Sequence, residues 1–321
     1  MKKYLIVVFI FFGLLVATHS LPWGFHGHKI IAKNAIFILP QEMLVFFKTN
    51  SNRIIDASIQ PDIRRYIYED EGPNHYIDLE LYGDKEDSIL FMSWDEAANS
   101  IGVDSLVARG ILPWAIVRTY YRLTDAFRDK NTELILRYSA DLCHYISDAH
   151  VPLHTTYNYD GQYTGQEGIH RLWESLIPEL SSEKYSYWVG KAEYRENIYA
   201  MVRKVILDSH SRQDSVLTFE KVVSGSIRSD QKYAFERRGR NEVKQYSKEF
   251  IELYEKELNG MVEHQLRASI KATGDLWYTS WIEAGQPDLS SLITSEKQSG
   301  NQKEVSLDSA KTTSNRARIH N

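Results

Sequence analysis

The sequence predicts an all-α protein built as a single domain. Apolar residues recur at helical spacing over long segments, whereas the strict alternation of a half-buried strand is rare. Of the 321 residues, 43% are apolar, which is enough for a globular chain with a sizeable core. Only 17 glycines and 8 prolines punctuate the chain and no long linker divides it, so one domain is the simpler interpretation.

Helices are predicted in six places, where apolar residues repeat every three or four positions. The third helix takes Thr132 as its N-cap and ends near His150, because Pro152 follows. Loops between the helices are expected to carry much of the polar chemistry. The six segments are 28–39, which stops at Pro40, then 112–129, 132–149, 193–210, 243–258 and 261–282.

The two ends of the chain differ in composition from the middle. Residues 1–22 begin with "MKK", continue with the apolar run "YLIVVFIFFGLLVA" and leave it through "THSLP". This pattern predicts a secretory signal peptide, with an uncleaved N-terminal anchor as the alternative. Residues 289–321 are polar and predict a disordered tail. The expected domain therefore spans 23–288, and the protein is expected to be exported to the periplasm or secreted.

Charge and cysteine content narrow the function further. The formal net charge is −5, which argues against broad electrostatic capture of nucleic acid but leaves a local positive site open. Cys143 is the single cysteine, so the chain cannot form an internal disulfide. Its stability must come from packing or from bound metal.

The segment "LCHYISDAHVPLH" crowds three histidines and an aspartate into 13 residues. His144 and Asp148 are four residues apart, which places their Cβ atoms about 5–6 Å apart on one helix face and suits a shared metal. His150 points elsewhere and is interpreted as an ordinary polar residue at the helix end. His154 follows Pro152, where the chain can turn back towards the same face. A cluster of hydrogen-bonded side chains at a helix end explains this segment alone equally well.

A second pair of the same kind lies in "GIHRLWESLIPE". His170 and Glu174 are four residues apart in a short helical stretch that is expected to end before Pro178. A surface ion pair is the alternative, and for an isolated pair it would be favoured. The alternative weakens because another histidine–carboxylate pair precedes this one so closely. Histidine nitrogens and carboxylate oxygens are ordinary zinc ligands.

Further candidates lie upstream in the loop-like segment "QPDIRRYIYEDEGPNHYIDLE". It holds Asp62, Arg65, His75 and Asp78. Taken singly, Asp62 suits a turn after a proline and Arg65 a surface salt bridge.

The segment just past the signal peptide, "PWGFHGHKIIAKN", holds Trp23, His26 and His28. Trp23 could simply pack against the fold.

Taken together, these motifs resemble the superfamily of zinc-dependent phospholipases C and S1/P1 nucleases. The resemblance runs in order from Trp23 through Asp62, His75, "HYISDAHVPLH" and "HRLWE", and covers nearly the whole domain. It implies an α-helical bundle around three zinc ions. By position, it implies one zinc held by Asp62, His75, His144 and Asp148, a second by His154, His170 and Glu174, and a third by the amino group and carbonyl of Trp23 with His28 and a shared Asp148.

The resemblance also implies a reaction and further residues. Zinc-activated hydroxide would attack the phosphorus of a phosphodiester without a covalent enzyme intermediate. Asp62, Arg65 and Asp78 are the expected catalytic residues, with Arg65 near the transferred phosphate and Asp78 at a second acidic position near the cluster. Trp23 can ligate through its amine only if signal cleavage leaves it at the N-terminus, directly after Pro22.

Three hypotheses concern the substrate, and a phospholipase C is slightly favoured over a nuclease. Glu174 as the last ligand slightly favours a phospholipase C, whereas the close spacing of Trp23 and His28 is typical of the nucleases. Tyr76 fits either, by stacking on a base or lining a lipid headgroup pocket. The third hypothesis is a zinc-stabilised binding protein without catalysis. A phospholipid headgroup or single-stranded nucleic acid is the expected partner, and the protein is expected to be a monomer with no stable protein partner.

Overall fold

Helices make up most of the chain in a computed structural model, which describes residues 24–238 and 241–293. The predicted signal peptide and Trp23 lie outside the described residues. Of the predicted tail, only 289–293 is described, and Leu289 is buried. Over these ranges no helix is long and apolar enough to cross a membrane.

The fold is all-α, as the sequence predicts. Fifteen helices follow one another in the described part of the chain, and short 3₁₀ turns at Gly72–His75 and Pro152–Thr155 separate some of them. The helices are α1 Phe25–Phe37, α2 Gln41–Thr49, α3 Ser51–Ala57, α4 Gln60–Arg64, α5 Glu86–Ile89, α6 Trp94–Ile101, α7 Val103–Ala108, α8 Leu112–Arg128, α9 Thr132–Asp148, α10 Ile169–Arg171, α11 Ile177–Ser181, α12 Ile198–His210, α13 Gln213–Ser226, α14 Lys248–Glu257 and α15 Met261–Glu283.

The core lies where α1, α8, α9 and α15 pack against one another. The rings of Phe47 and Trp277 lie 5.0 Å apart between centroids, and Phe127 lies 6.4 Å from Phe47. The indole N–H of Trp277 is buried but donates to the carbonyl of Ser139 on α9, at 2.9 Å. Because α9 is held on several sides, its C-terminal turn is a rigid platform for polar side chains.

The prediction of a helix from residue 243 is wrong at its start. Strand β1 (Tyr233–Arg238) pairs antiparallel with β2 (Asn241–Tyr246), with Tyr233 opposite Tyr246. The ring of Tyr246 is buried and stacks on Phe250 at 5.1 Å. Helix α14 begins only at Lys248, because the Ser247 hydroxyl accepts a hydrogen bond from the Phe250 N–H and caps it.

Three other helix starts also differ from the prediction, and the first is that of α1, which begins at Phe25 rather than at residue 28. The N-cap of α9 is Asn131 rather than Thr132, and its side-chain oxygen accepts from the Leu134 N–H at 3.1 Å. Helix α12 begins at Ile198 rather than at 193, because its N-cap is Asn197. The residues before it are tied to α15, where the backbone N–H of Glu193 donates to a buried aspartate at 2.7 Å. Tertiary partners thus replace the helical hydrogen bonds that the periodicity predicts.

The stretch around Glu174 is longer than predicted. It runs from α10 through a π-helical turn, Leu172–Leu176, into α11, and so continues past Pro178 to Ser181. Proline has no N–H to donate to the carbonyl four residues earlier, and the wider π turn accommodates that loss.

Candidate metal centre

The last turn of α9 supplies the centre of the site. His144 and Asp148 are both fully buried, with 3.4 Å between His144 Nε2 and Asp148 Oδ2. The other ring nitrogen of His144 donates to the carbonyl of Ser58 at 2.8 Å. That hydrogen bond leaves Nε2 of His144 as an acceptor facing the carboxylate.

Two more side chains reach this point from upstream segments. Asp62 lies on the short helix α4, and His75 ends the 3₁₀ turn after it, so neither lies in irregular loop. Asp62 Oδ1 lies 3.7 Å from His144 Nε2 and 3.8 Å from His75 Nδ1. The nitrogens of the two histidines are 3.1 Å apart, and His75 Nδ1 is 3.0 Å from Asp148 Oδ2. These four residues form the first donor group.

The second donor group joins His154, His170 and Glu174. His154 Nε2 lies 3.1 Å from His170 Nε2 and 3.4 Å from Glu174 Oε2, and His170 contacts the same carboxylate oxygen. The π turn directs Glu174 into the cluster, while the 3₁₀ turn after α9 brings His154 back to it. The other ring nitrogen of each histidine, Nδ1, donates to a backbone carbonyl. His154 donates to the carbonyl of His75 at 2.6 Å, and His170 donates to that of Tyr159 at 3.1 Å.

The third group is centred on His28 of α1. His28 Nε2 lies 3.5 Å from Asp148 Oδ1, and its ring stacks on His144 at 4.0 Å. Asp148 therefore presents one oxygen to the first group and the other to this one. The backbone N–H of Gly24 donates to Ser175 at 3.1 Å, which fixes the chain directly after Trp23 beside the residue that follows Glu174.

The donor atoms fit zinc in spacing and chemistry. Zinc bonds of about 2.0–2.2 Å in a tetrahedron place neighbouring ligand atoms about 3.3–3.6 Å apart, and most separations within the groups lie near that range. Both ring nitrogens of His28, both oxygens of Asp62 and Oδ1 of Asp148 are buried without hydrogen-bond partners. Burying so many unpaired polar atoms is costly, and a cation would satisfy them.

Burial also sets the protonation of the donors. Desolvation lowers the pKa of His28 to about 3 and that of His75 to about 4, so both imidazoles are neutral, the form that binds metal. Desolvation raises the pKa of Asp62 and Asp148 well above the ordinary carboxyl value. Burial would likewise raise the pKa of Glu174, but the two nearby histidines outweigh it and lower that pKa to about 2. Bound cations would favour the ionised form of all three carboxylates.

A pocket of about 470 Å³ opens onto the first and second donor groups, through His75, His154 and His170. Arg65 lines it, with its Nη1 3.9 Å from Asp62 Oδ1 and its guanidinium 5.6 Å from the ring centroid of Tyr66. The other predicted pocket residues, Tyr76 and Asp78, also line it. Burial and the neighbouring Glu80 raise the pKa of Asp78 to about 7.

Several residues of the site escape sequence reasoning. Tyr66 and Tyr159 line the pocket, and Glu71, Arg64 and Tyr145 form a hydrogen-bonded group behind His75. The only sequence signal for Glu71 is its position four residues before His75.

The two other histidines of the motifs quoted above, His150 and His26, lie away from the donor groups. The Nδ1–H of His150 donates to the carbonyl of Ile146 at 2.7 Å, and the ring lines a different pocket. His26 contacts Ser182 at 2.8 Å.

The chain matches a known protein family. The model of the S1/P1 nuclease family matches residues 23–269, while a search of curated proteins finds no match. Among solved structures, alpha toxin from Clostridium absonum has a TM-score of 0.47 and 12% identity, covering 82% of this chain and 65% of that one. The alpha-toxin of an avian strain of Clostridium perfringens has a TM-score of 0.40 and 15% identity, covering 83% and 64%. The chain thus spans slightly less than two thirds of these toxins. On the family match, the chain belongs to the S1/P1 nuclease family, within the superfamily of zinc-dependent phosphodiesterases.

Proposed function

We propose that the protein hydrolyses phosphodiesters with bound zinc, and that its substrate is single-stranded nucleic acid, cleaved to products with 5′-phosphates. The observation that carries the proposal is a cluster of three donor groups, two of which line a pocket together with Arg65 and three tyrosines. Such a pocket combines positive charge for a phosphate with flat aromatic faces for bases. The match to the nuclease family model favours this substrate over a lipid.

Zinc, when bound, would polarise the phosphoryl oxygens and lower the pKa of water to about 7. Asp62 and Asp148 would hold the metal while also fixing the histidines around it. Arg65 would donate to the non-bridging phosphate oxygens, and its orientation is set by Asp62 on one side and Tyr66 on the other.

Base recognition would fall to Tyr76 and Asp78 in the same pocket. Tyr76 is half-buried, and its hydroxyl lies 3.4 Å from the carbonyl of Ala108, so its ring is held in place. Asp78, with a pKa of about 7, holds a proton on part of the molecules at neutral pH. Its carboxyl group can therefore either donate to or accept from the edge of a base.

Phospholipase C activity is the second candidate. Glu174, rather than aspartate, is its sequence signal. In the structure, an exposed apolar turn lies beside the pocket, where Tyr66 is 52% and Ile67 is 68% exposed. Side chains of this kind suit contact with a lipid surface.

Product mass spectrometry distinguishes the candidates. Zinc-loaded protein is incubated with single-stranded DNA and phosphatidylcholine vesicles in one mixture, with a chelated control. Nucleotides bearing 5′-phosphates support the proposal. Diacylglycerol with phosphocholine supports the lipid candidate instead. If neither product exceeds the control, a zinc-stabilised binding protein becomes the better hypothesis.

We also propose that the protein is exported and that signal cleavage leaves Trp23 at the N-terminus. The anchoring of Gly24 by Ser175 supports this, since it fixes the chain next to Trp23 beside the cluster. N-terminal sequencing of the exported protein tests it. A start at Leu21 would count against Trp23 as a ligand.

A further inference from the structure

Each histidine of the cluster has one ring nitrogen that faces the other donors and a second, outward nitrogen that faces away from them. The partners of these outward nitrogens differ. A metal-ligating histidine usually donates its second N–H to a carbonyl or a carboxylate, which fixes the tautomer and tunes the ligand. His75 is distinct because its outward atom, Nε2, faces the carboxylate of Glu71 at 3.7 Å. Three others donate to carbonyls: His144 to Ser58 at 2.8 Å, His154 to His75 at 2.6 Å and His170 to Tyr159 at 3.1 Å.

Glu71 is itself held from two directions. The hydroxyl of Tyr145 donates to its Oε1, and Arg64 donates to Oε2 at 3.1 Å through Nε and to Oε1 at 3.4 Å through Nη2. Arg64 is anchored in turn by Asp141 at 2.9 Å. The Glu71 side chain is only 12% exposed, so these partners determine where its carboxylate lies.

On its other side, His75 faces the first donor group. Its Nδ1 lies 3.0 Å from Asp148 Oδ2, 3.1 Å from His144 Nε2 and 3.8 Å from Asp62 Oδ1. The imidazole therefore lies between a fixed carboxylate and the metal donors. His75 Nε2 is buried without a hydrogen-bond partner, and its 3.7 Å separation from Glu71 exceeds an ordinary N–H···O bond by about 0.5 Å. A small rotation of the His75 ring towards the fixed carboxylate closes that gap.

We propose that Glu71 is a positioning residue of the metal centre, which acts on zinc only through His75. By accepting the Nε2–H of His75, it keeps the proton off Nδ1 and leaves that atom's lone pair for the metal. Its negative charge also makes the imidazole a stronger ligand. This role rests on the proposed zinc centre, but it is tested by metal binding rather than by hydrolysis. The role can therefore fail while the proposed function holds, and it can hold in a protein that binds zinc without hydrolysing a phosphodiester.

Replacement of Glu71 by glutamine tests the role directly. Glu71→Gln keeps the shape and removes the charge, and we expect one of the zinc sites to bind about 10–100-fold more weakly in competition with a chelator. Glu220→Gln is the matched control, because Glu220 is also buried but bonds Gln166 and Lys232 rather than a histidine of the cluster. Unchanged zinc affinity in Glu71→Gln, or an equal loss in Glu220→Gln, would assign Glu71 a merely structural role and overturn the proposal.

A measurement on the unaltered protein decides the matter even if the variant does not fold. In zinc-loaded protein labelled with ¹⁵N at histidine, two-bond ¹H–¹⁵N spectra report which nitrogen carries the proton. We expect His75 to be metallated at Nδ1 and protonated at Nε2, whereas His144, His154 and His170 are metallated at Nε2. A proton on Nδ1 of His75 would refute the proposal.

Discussion

Asp148 lies between two donor groups, so its replacement tests the metal centre most sharply. Its Oδ2 is 3.0 Å from His75 Nδ1, and its Oδ1 is 3.5 Å from His28 Nε2. Glu174, which is equally buried, contributes to the second group alone. We expect Asp148→Asn to weaken two zinc sites and Glu174→Gln to weaken one.

The size of the effect follows from linkage between binding and folding. A site with free zinc at a thousand times its dissociation constant adds about 4.1 kcal/mol to the free energy of unfolding. Three such sites add about 12 kcal/mol in the native protein. This zinc-dependent increment in the free energy of unfolding should fall to about 4 kcal/mol in Asp148→Asn, which loses two sites, and to about 8 kcal/mol in Glu174→Gln, which loses one.

The assay is denaturant unfolding of each variant with zinc and with chelator, together with the zinc content per chain. The difference between the two conditions cancels any change in the stability of the metal-free protein. Asp275→Asn is the control, because Asp275 is also buried but pairs with Arg195 and Lys271 and belongs to none of the donor groups. The shared role of Asp148 is refuted if its variant keeps all three zinc ions, or loses only one with the same increment as Glu174→Gln.

Three further predictions concern the pocket, the pH response and the backbone. Arg65→Ala should lower kcat about 100-fold and leave the zinc content unchanged. This is the low end of the loss usual for a group that stabilises the transition state, because the Arg65 side chain is 24% exposed. A variant with native kcat would exclude contact between Arg65 and the phosphate. Burial lowers the pKa of His150 to about 4, so in the unfolded chain it takes up a proton below pH 6.5 that the folded protein refuses, and stability falls as the pH falls from 6.5 towards 4. At pH 5 this proton uptake lowers the free energy of unfolding by about 2 kcal/mol. Unfolding measured at pH 7.5 and 5 should show that His150→Gln loses about that much less stability than the native protein. An identical pH dependence in the two proteins would contradict the prediction. Gly110 and Gly102 both have positive φ, but only at Gly110 does an added Cβ meet the pocket wall, 2.1 Å from a backbone oxygen. Gly102→Ala should therefore cost about 1–3 kcal/mol in urea unfolding and Gly110→Ala more. Equal losses would show that the pocket wall moves to make room for the added Cβ.

The convergence of four donor residues was predictable from local spacing. Both i, i+4 pairs, His144 with Asp148 and His170 with Glu174, meet at the distances that helix geometry allows. Family resemblance supplied Asp62 and His75, whose positions in sequence say nothing about their convergence on α9. The structure shows that these residues lie close together, and the assignment of each residue to a particular metal ion stays a prediction.

The residues behind the donors were not predictable for a physical reason. Glu71 and Arg64 are charged residues in a polar segment, where a surface position is the default expectation. Only the folded packing against Tyr145 shows that they form a buried group. The start of α12 was predicted too early in the sequence for the same reason. The side chains that hold the residues before α12, such as Asp275, come from a distant helix.

The donor groups also have a topological consequence. His28 and Asp148, which share the third group, are 120 residues apart in sequence (148 minus 28). A cation bound to both closes a loop as long as those closed by large disulfides, for which the loss of chain entropy in the unfolded state is worth about 4–5 kcal/mol. In a protein whose single thiol is buried and unpaired, zinc would act as a reversible crosslink. Such a crosslink is cut by a chelator rather than by a reductant, so metal supply, and not redox state, would govern how long the folded chain resists unfolding.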